Sequence, residues 1–145
     1  MSDSLEQARR HRAGLRAAIG RVERALSGPA ANRADVWAKE VLDELHELGD
    51  ALEQHITITE APDGLLADIV EAAPRLSRRV EQARSDHVHL RDRLGSASEA
   101  LARDDVDVHD ARDRVVELLT GLVRHRHLGA DLVYEAYNVD IEAAD

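Results

Sequence analysis

The sequence contains no cysteine and no phenylalanine, and it has only one tryptophan and two tyrosines in 145 residues. The lack of cysteine excludes disulfides and thiolate chemistry. Because aromatic side chains are so scarce, any core must be built from Ala, Leu, Val and Ile. Proline occurs three times, each time outside the periodic apolar segments, so long uninterrupted helices are possible.

Positive charge is also scarce, with 19 Lys and Arg against 29 Asp and Glu and a net charge of −10. Nucleic acids and anionic lipids both require a basic face, so we predict neither as a partner. No apolar run approaches the length of about 20 residues that spans a bilayer, and residues 1–7 contain no apolar signal segment. We therefore predict a cytoplasmic protein without a membrane partner.

Apolar residues recur at steps of three and four along four long stretches, which is the pattern of amphipathic helices. The four stripes cover residues 5–26, 41–59, 76–94 and 111–136. Gly28-Pro29 ends the first stretch and a turn at 61–64 ends the second. Asp35 is the predicted N-cap of the second helix, and Pro74 is the predicted first-turn residue of the third.

These elements predict an all-α fold in a single domain, residues 1–145. We expect an antiparallel up-down-up-down four-helix bundle, with a short extra helix at 65–73 between helices 2 and 3. A polar connection, which can be partly helical, is expected from Gly95 onward. A coiled-coil rod is the other long helical architecture. It would need longer unbroken heptads than the Gly-Pro and Pro-Asp-Gly breaks allow.

Eight histidines are present, and four of them lie on the apolar stripes, one in each long helix. In antiparallel packing, His11, His55, His87 and His125 come to the same end of the bundle. Neutral imidazole binds Zn, Fe, Cu or Ni, so four converging rings indicate a metal site. The alternative is that each ring is a hydrogen-bonded core residue. The other four histidines fall mostly off the stripes: His46, His89, His109 and His127.

One histidine per helix in such a bundle resembles the hemerythrin-like, or HHE cation-binding, domain family. The most specific stretches are LEQH (52–55), TEAPDGLL (59–66), SDHVHL (85–90) and GADLVYEAY (129–137). The resemblance implies a non-haem di-iron centre, bridged by carboxylates, that binds O₂ or reacts with NO or peroxide. It also implies that His11 is the first-helix ligand and that His55, His87 and His125 are the ligands from the other helices.

The family pairs its histidines with a carboxylate or a second histidine four or five residues onward. In this chain the positions four residues after the last three histidines hold Thr59, Arg91 and Gly129. Five residues onward stand Glu60 and Asp92, which are therefore the candidate carboxylate ligands. Asp131, six residues after His125, lies about 120° from the face of that histidine and is not a candidate.

The sequence thus predicts a hemerythrin-like protein that binds non-haem iron, suspected to be di-iron, and binds or senses O₂, NO or peroxide. One alternative is a bundle that is metal-free or binds Zn and acts as a structural or interaction module. A small histidine-based enzyme, with Glu60 and Asp92 as acid and base, ranks last, and we assign no catalytic residue. The predicted metal ligands are His11, His55, Glu60, His87, Asp92 and His125.

Overall fold

The computed structural model describes residues 2–139, and within that range the chain is helical with no β-strand. The predicted all-α class is therefore confirmed. No helix in this range is both long enough and apolar enough to cross a membrane. A 3₁₀ turn, Pro74–Leu76, precedes α4, and a π-helical segment, Glu135–Val139, follows α5. The five α-helices are α1 (Ser2–Leu26), α2 (Ala34–Thr59), α3 (Leu65–Ala72), α4 (Ser77–Leu101) and α5 (Val108–Tyr134).

The start of α2 differs from the prediction, because the N-cap is Arg33 and not Asp35. The amide of Trp37 donates to the carbonyl of Arg33 at 2.9 Å and closes the first turn. The buried indole of Trp37 also donates from Nε1 to the carbonyl of Leu26 at 3.2 Å. This contact ties the start of α2 to the end of α1, and it leaves Asp35 in the first turn, where its charge favours the helix N-terminus.

Helix α4 is also longer than predicted, because it continues through the Gly95-Ser96-Ala97-Ser98 segment to Leu101. We expected a polar connection from Gly95 onward. Ala97, Ala100 and Leu101 are all buried, so the apolar stripe of α4 extends about two turns further than the Leu and Val pattern alone indicates. Packing of this face outweighs the low helix propensity of Gly and Ser.

The turn between α2 and α3 depends on Gly64. A Cβ at this position would collide with the carbonyl oxygens of Ile58 and Thr59 in the last turn of α2. The amide of Gly64 donates to the carbonyl of Ala61 at 2.8 Å. The tight reversal places the buried Leu65 directly after the end of α2, so α3 packs beside the part of α2 that carries His55.

The helices pack mainly as two pairs, α1 with α2 and α4 with α5, and α2 contacts α4 between the pairs. Ion pairs define the direction of the α2–α4 contact. Glu53 pairs with Arg91, whereas Glu60, further along α2, lies 3.7 Å from Arg84, which is earlier on α4. These two helices therefore run in opposite directions where they meet.

Two apolar clusters form the core, and both are buried from solvent. The larger, which we call the aliphatic cluster, draws on all four long helices and includes Trp37, Leu45, Leu48, Leu52, Leu90, Leu118 and Leu122. The smaller, the α3 cluster, includes Ala8, Leu65, Leu66, Ile69, Ala83 and Leu132. His87 and His125 each lie along their helices between a residue of one cluster and a residue of the other.

Candidate metal centre

Three buried histidines meet between the two apolar clusters. His55 of α2, His87 of α4 and His125 of α5 are 8%, 1% and 6% exposed. One ring nitrogen from each lies within 4.8 Å of the others, and within residues 2–139 this is the only such group of three or more metal-binding side chains. We call it the three-histidine cluster.

The Nε2 atoms have the spacing of ligands that share one ion. Nε2 of His87 and Nε2 of His125 are 3.0 Å apart, and Nε2 of His55 and Nε2 of His125 are 3.4 Å apart. Two imidazole nitrogens at about 2.05 Å from a tetrahedral ion are separated by about 3.3 Å. The rings meet edge to face, with centroids 4.7 to 5.5 Å apart. The rings are thus in direct contact, with one nitrogen of each close to the other two.

Two of the three rings are oriented by carboxylates on their other nitrogen. Oε2 of Glu60 lies 2.6 Å from Nδ1 of His87, and Oδ2 of Asp86 lies 3.1 Å from Nδ1 of His125. An ionised carboxylate can only accept a hydrogen bond, so each Nδ1 must be the donor. Carboxylate partners of this kind orient metal-binding histidines and fix their tautomer.

This tautomer has a direct consequence for the centre of the cluster. If Nδ1 of His87 and Nδ1 of His125 hold the protons of the neutral rings, each Nε2 has a lone pair and no hydrogen. These two lone pairs face each other across 3.0 Å. The third ring, His55, can place one N–H between them and no more, and its own Nδ1 is buried without a hydrogen-bond partner among the described residues. The cluster is thus rich in acceptors and short of donors, which favours a cation at its centre.

Burial favours the neutral form of two of these rings, His55 and His87. Desolvation, together with the neighbouring His125, His87, Arg12 and His11, lowers the pKa of His55 to about 3. Desolvation also lowers the pKa of His87, although its hydrogen bond to Glu60 opposes the shift. Neutral imidazole is the form that binds a metal, so the lowered pKa values of His55 and His87 favour their action as ligands.

A small cavity of about 40 Å³ adjoins the cluster. Its walls include the three histidines and Arg12, and are otherwise mostly apolar, with Leu66 among them. A water molecule has a share of about 30 Å³ in the liquid. The space beside the three-histidine cluster is therefore sufficient for one water or for a ligand of very few atoms.

The structure places the six predicted ligands in different environments. His55, His87 and His125 come together, whereas His11 is half-buried in α1 and lies outside the cluster. Glu60 contacts Nδ1 of His87, the nitrogen that faces away from the other two rings. Asp92 is exposed and has no hydrogen-bond or ion-pair partner among the described residues.

Asp86 is the functional residue that sequence reasoning missed. It precedes His87 on α4, off the apolar stripe, and its partner His125 belongs to α5. The only signal in the sequence is that a carboxylate stands beside a stripe histidine. Spacing along one helix cannot show that it contacts a ring on another helix.

Arg91, one turn after His87, does not point its charge at the cluster. Its Nε and Nη2 atoms donate to the two carboxylate oxygens of Glu53 at 2.7 and 2.8 Å. Both side chains are about half exposed. This fork-to-fork pair lies at the surface, where it is hydrated and does not compete with a metal ion for the imidazoles.

Comparison of the chain with protein-family models, with curated proteins and with solved structures found no match. The likeness to hemerythrin-like proteins therefore stays a prediction from the sequence.

Proposed function

We propose that this chain is a metal-binding protein in which His55, His87 and His125 bind one divalent transition-metal ion, iron or zinc, through Nε2. The observation that carries the proposal is the convergence of three buried ring nitrogens, with Nδ1 of His87 engaged by Glu60 and Nδ1 of His125 engaged by Asp86. A cation satisfies these acceptors, and three neutral imidazoles are a ligand set that Zn²⁺ and Fe²⁺ accept.

The positions of the nearby carboxylates favour a site for one metal ion over a site for two. A di-iron centre needs anionic ligands that offset the charge of two cations. Glu60 already accepts from Nδ1 of His87, and Asp92 is exposed at the surface of α4. With His11 also outside the cluster, the described residues supply three neutral ligands, which suits a single divalent ion.

Three protein ligands leave coordination positions open, and the bound ion would supply an exchangeable position for a small molecule. The adjoining cavity of about 40 Å³ limits that molecule to a few atoms. O₂, NO and peroxide, the ligands that the sequence resemblance implies, are all of this size. We therefore propose that the protein binds or senses a small ligand at the metal.

We also propose that α1, α2, α4 and α5 form an antiparallel up-down-up-down bundle of the hemerythrin-like kind. The opposed direction of α2 and α4 supports this, as does the bond from Trp37 at the start of α2 to Leu26 at the end of α1. The contact of Arg114 on α5 with Ser96 on α4, and of His125 with Asp86, also indicates opposed directions for α4 and α5.

Metal content tests the proposal directly. Protein expressed with iron and zinc supplied should contain one equivalent of metal by elemental analysis, and titration of metal-free protein with Zn²⁺ should give the same stoichiometry. His55→Ala, His87→Ala and His125→Ala should each abolish tight binding, with circular dichroism used to confirm that each variant folds. His109→Ala is the matched control, because the His109 side chain is 90% exposed.

Two results would overturn the proposal. Two equivalents of metal would require a dinuclear centre with ligands beyond the cluster. No bound iron or zinc, with folded protein, would favour the metal-free structural or interaction module.

A further inference from the structure

A basic groove lies between α1 and α5, in a chain whose net charge is −10. The groove encloses about 480 Å³ and is lined on one side by Arg9, Arg12 and Arg16 and on the other by Arg126 and His127. Four arginines around one opening form a local concentration of positive charge, although the chain as a whole is acidic. We call this surface the arginine groove.

Among the described residues, only Arg9 of the four groove arginines has a carboxylate partner. Arg9 lies 3.6 Å from Glu6, and both side chains are more than 60% exposed. Arg12, Arg16 and Arg126 have no hydrogen-bond or ion-pair partner within the described part of the chain. Elsewhere in the molecule arginines do pair with carboxylates, as in Arg21–Glu44, Arg33–Glu40, Arg84–Glu60, Arg91–Glu53 and Arg114–Asp110.

This crowding of like charge is unfavourable without an anion. Burial lowers the pKa of Arg12, and the nearby charges of Arg9 and Arg16 lower it further. Unpaired guanidinium groups that repel one another form a region of positive potential, which attracts small anions from solution. An anion bound among them would relieve the repulsion.

The arginine groove shares lining residues with two cavities beside the three-histidine cluster. Arg12, Arg16 and Arg126 also line an inner cavity of about 40 Å³, together with His55 and His125. Arg12 lines the cavity beside the cluster as well. Gly129 lines both inner cavities, and a Cβ at this position would meet no atom within 4 Å. The absence of a side chain at Gly129 therefore leaves space in both inner cavities.

We propose that the arginine groove admits a small monovalent oxyanion with two terminal oxygens, of the class of formate, nitrite and bicarbonate, and that Arg12 holds it beside the three-histidine cluster. The planar guanidinium fork matches two oxygens of such an anion. The two inner cavities of about 40 Å³ exclude larger anions. This inference names the ligand class of the proposed metal centre and rests on that function for the role of the ion, whereas the arginine site itself does not need a metal.

Binding of ¹³C-formate, followed by NMR line width, tests the arginine site in metal-free protein. We expect formate binding to saturate, and we expect chloride at equal ionic strength not to displace the bound formate. Arg12→Gln should raise the dissociation constant at least about tenfold, because a charged bidentate contact is lost. Arg126→Gln should raise it less. Arg78→Gln removes the same charge from an exposed position on α4 and should change it less than twofold.

A second measurement uses protein loaded with Co²⁺, whose visible spectrum reports on its ligands. Formate should shift that spectrum in the natural chain and in Arg78→Gln, and far less in Arg12→Gln at the same concentration. Benzoate, which is too large for the inner cavities, should cause no shift.

The two proposals fail separately. The arginine site is overturned if Arg12→Gln and Arg78→Gln weaken formate binding equally, or if chloride displaces formate at similar concentrations. Either result would mean that the anion responds to the general positive charge of the surface and not to a specific contact with Arg12. That result leaves a measured single equivalent of metal untouched. If instead no metal binds but formate binding still depends on Arg12, the arginine site is supported and the metal function is overturned.

Discussion

The aliphatic cluster and the three-histidine cluster are adjacent in one core and differ in almost every physical property. The aliphatic cluster contains Leu45, Leu48, Leu52 and Leu118, each fully buried, and its one polar ring atom, Nε1 of Trp37, has a hydrogen-bond partner. The three-histidine cluster has two small cavities beside it and a buried ring nitrogen without a partner.

Because of this difference, the aliphatic cluster accounts for stability and the three-histidine cluster for the proposed metal binding. Each fully buried Leu contributes about 2 kcal/mol to the free energy of unfolding, whereas an unpartnered buried polar group costs about 1–3 kcal/mol. The aliphatic cluster therefore stabilises a fold in which three imidazoles stay buried, close and incompletely hydrogen-bonded. A bound metal ion would interact with the imidazole lone pairs that have no hydrogen-bond donor. Its binding would therefore stabilise the native state.

The largest expected effect comes from damage to the aliphatic cluster. Leu118→Ala should lower the free energy of unfolding by about 3 kcal/mol, because it removes buried methyl groups and leaves a cavity. Urea unfolding followed by circular dichroism measures this change. Metal stoichiometry should stay at that of the natural chain, since Leu118 belongs to the aliphatic cluster and lines neither cavity beside the histidines.

Val116→Ala is the matched control on the same helix, two residues away. Val116 is 47% exposed, so its truncation should change the free energy of unfolding by less than about 0.5 kcal/mol. A loss of metal binding in Leu118→Ala that is as large as its loss of stability would show that the two regions are not separable.

Acid should weaken the contribution of the three-histidine cluster to the free energy of unfolding and leave the contribution of the aliphatic cluster unchanged. The pKa of His55 is about 3 in the folded chain and about 6.5 when the chain is unfolded. Between these values the unfolded chain binds the additional proton, so the free energy of unfolding falls as pH falls from 6.5 toward 3. The loss for His55 alone is about 2 kcal/mol between pH 7 and pH 5, and His87 adds to it in the same direction.

Urea unfolding of metal-free protein at pH 7 and pH 5 measures this effect. His55→Asn should lose about 2 kcal/mol less between the two pH values, whereas His109→Asn should behave as the natural chain does. Leu118→Ala should keep the full pH dependence at lower overall stability. A natural chain whose stability is equal at the two pH values would contradict the burial of neutral imidazoles.

Glu60 should matter for the metal through His87. Glu60→Ala removes the carboxylate that orients the His87 ring, and loss of such a partner lowers metal affinity by about tenfold or somewhat more. Competition titration with Zn²⁺ measures the change. Glu53→Ala is the control on the same helix, because it removes only the exposed pair with Arg91. Equal affinities in the two variants would show that Glu60 does not position the ring.

The sequence predicted the helices well because buried Leu and Val repeat with the helical period. The end of α4 was missed because its last buried positions are mainly alanines within a Gly- and Ser-containing segment. The start of α2 was misplaced because the bond between Trp37 and Leu26 joins two helices, which no local capping rule describes.

The sequence could predict those features of the candidate site that depend on the residue pattern within one helix. His55, His87 and His125 are on apolar stripes, and the stripes alone brought them together. The five-residue step from His55 predicted Glu60 as a metal ligand, whereas in the structure the carboxylate contacts Nδ1 of His87 on another helix. Asp86 and the arginine groove depend on which surfaces of separate helices face each other, and one-dimensional spacing does not contain that information.

The smallest expected effect concerns Asp92, and it distinguishes one metal ion from two. Asp92 is exposed and unpartnered among the described residues, so Asp92→Asn should change the free energy of unfolding by less than about 0.5 kcal/mol. Metal stoichiometry should not change, and the affinity for Zn²⁺ should change less than twofold.

Asp86→Asn, six residues earlier on α4, is the informative comparison, because Asp86 contacts Nδ1 of His125. That variant should weaken Zn²⁺ binding severalfold, since a neutral amide holds the protonated Nδ1 less strongly than a carboxylate does. If Asp92→Asn lowers the metal content and Asp86→Asn does not, the metal lies nearer Asp92 than the three-histidine cluster, and the arrangement of ligands proposed for this protein is wrong. If both lower it equally, a second ion shares the site, as in the di-iron centre that the sequence resemblance implies.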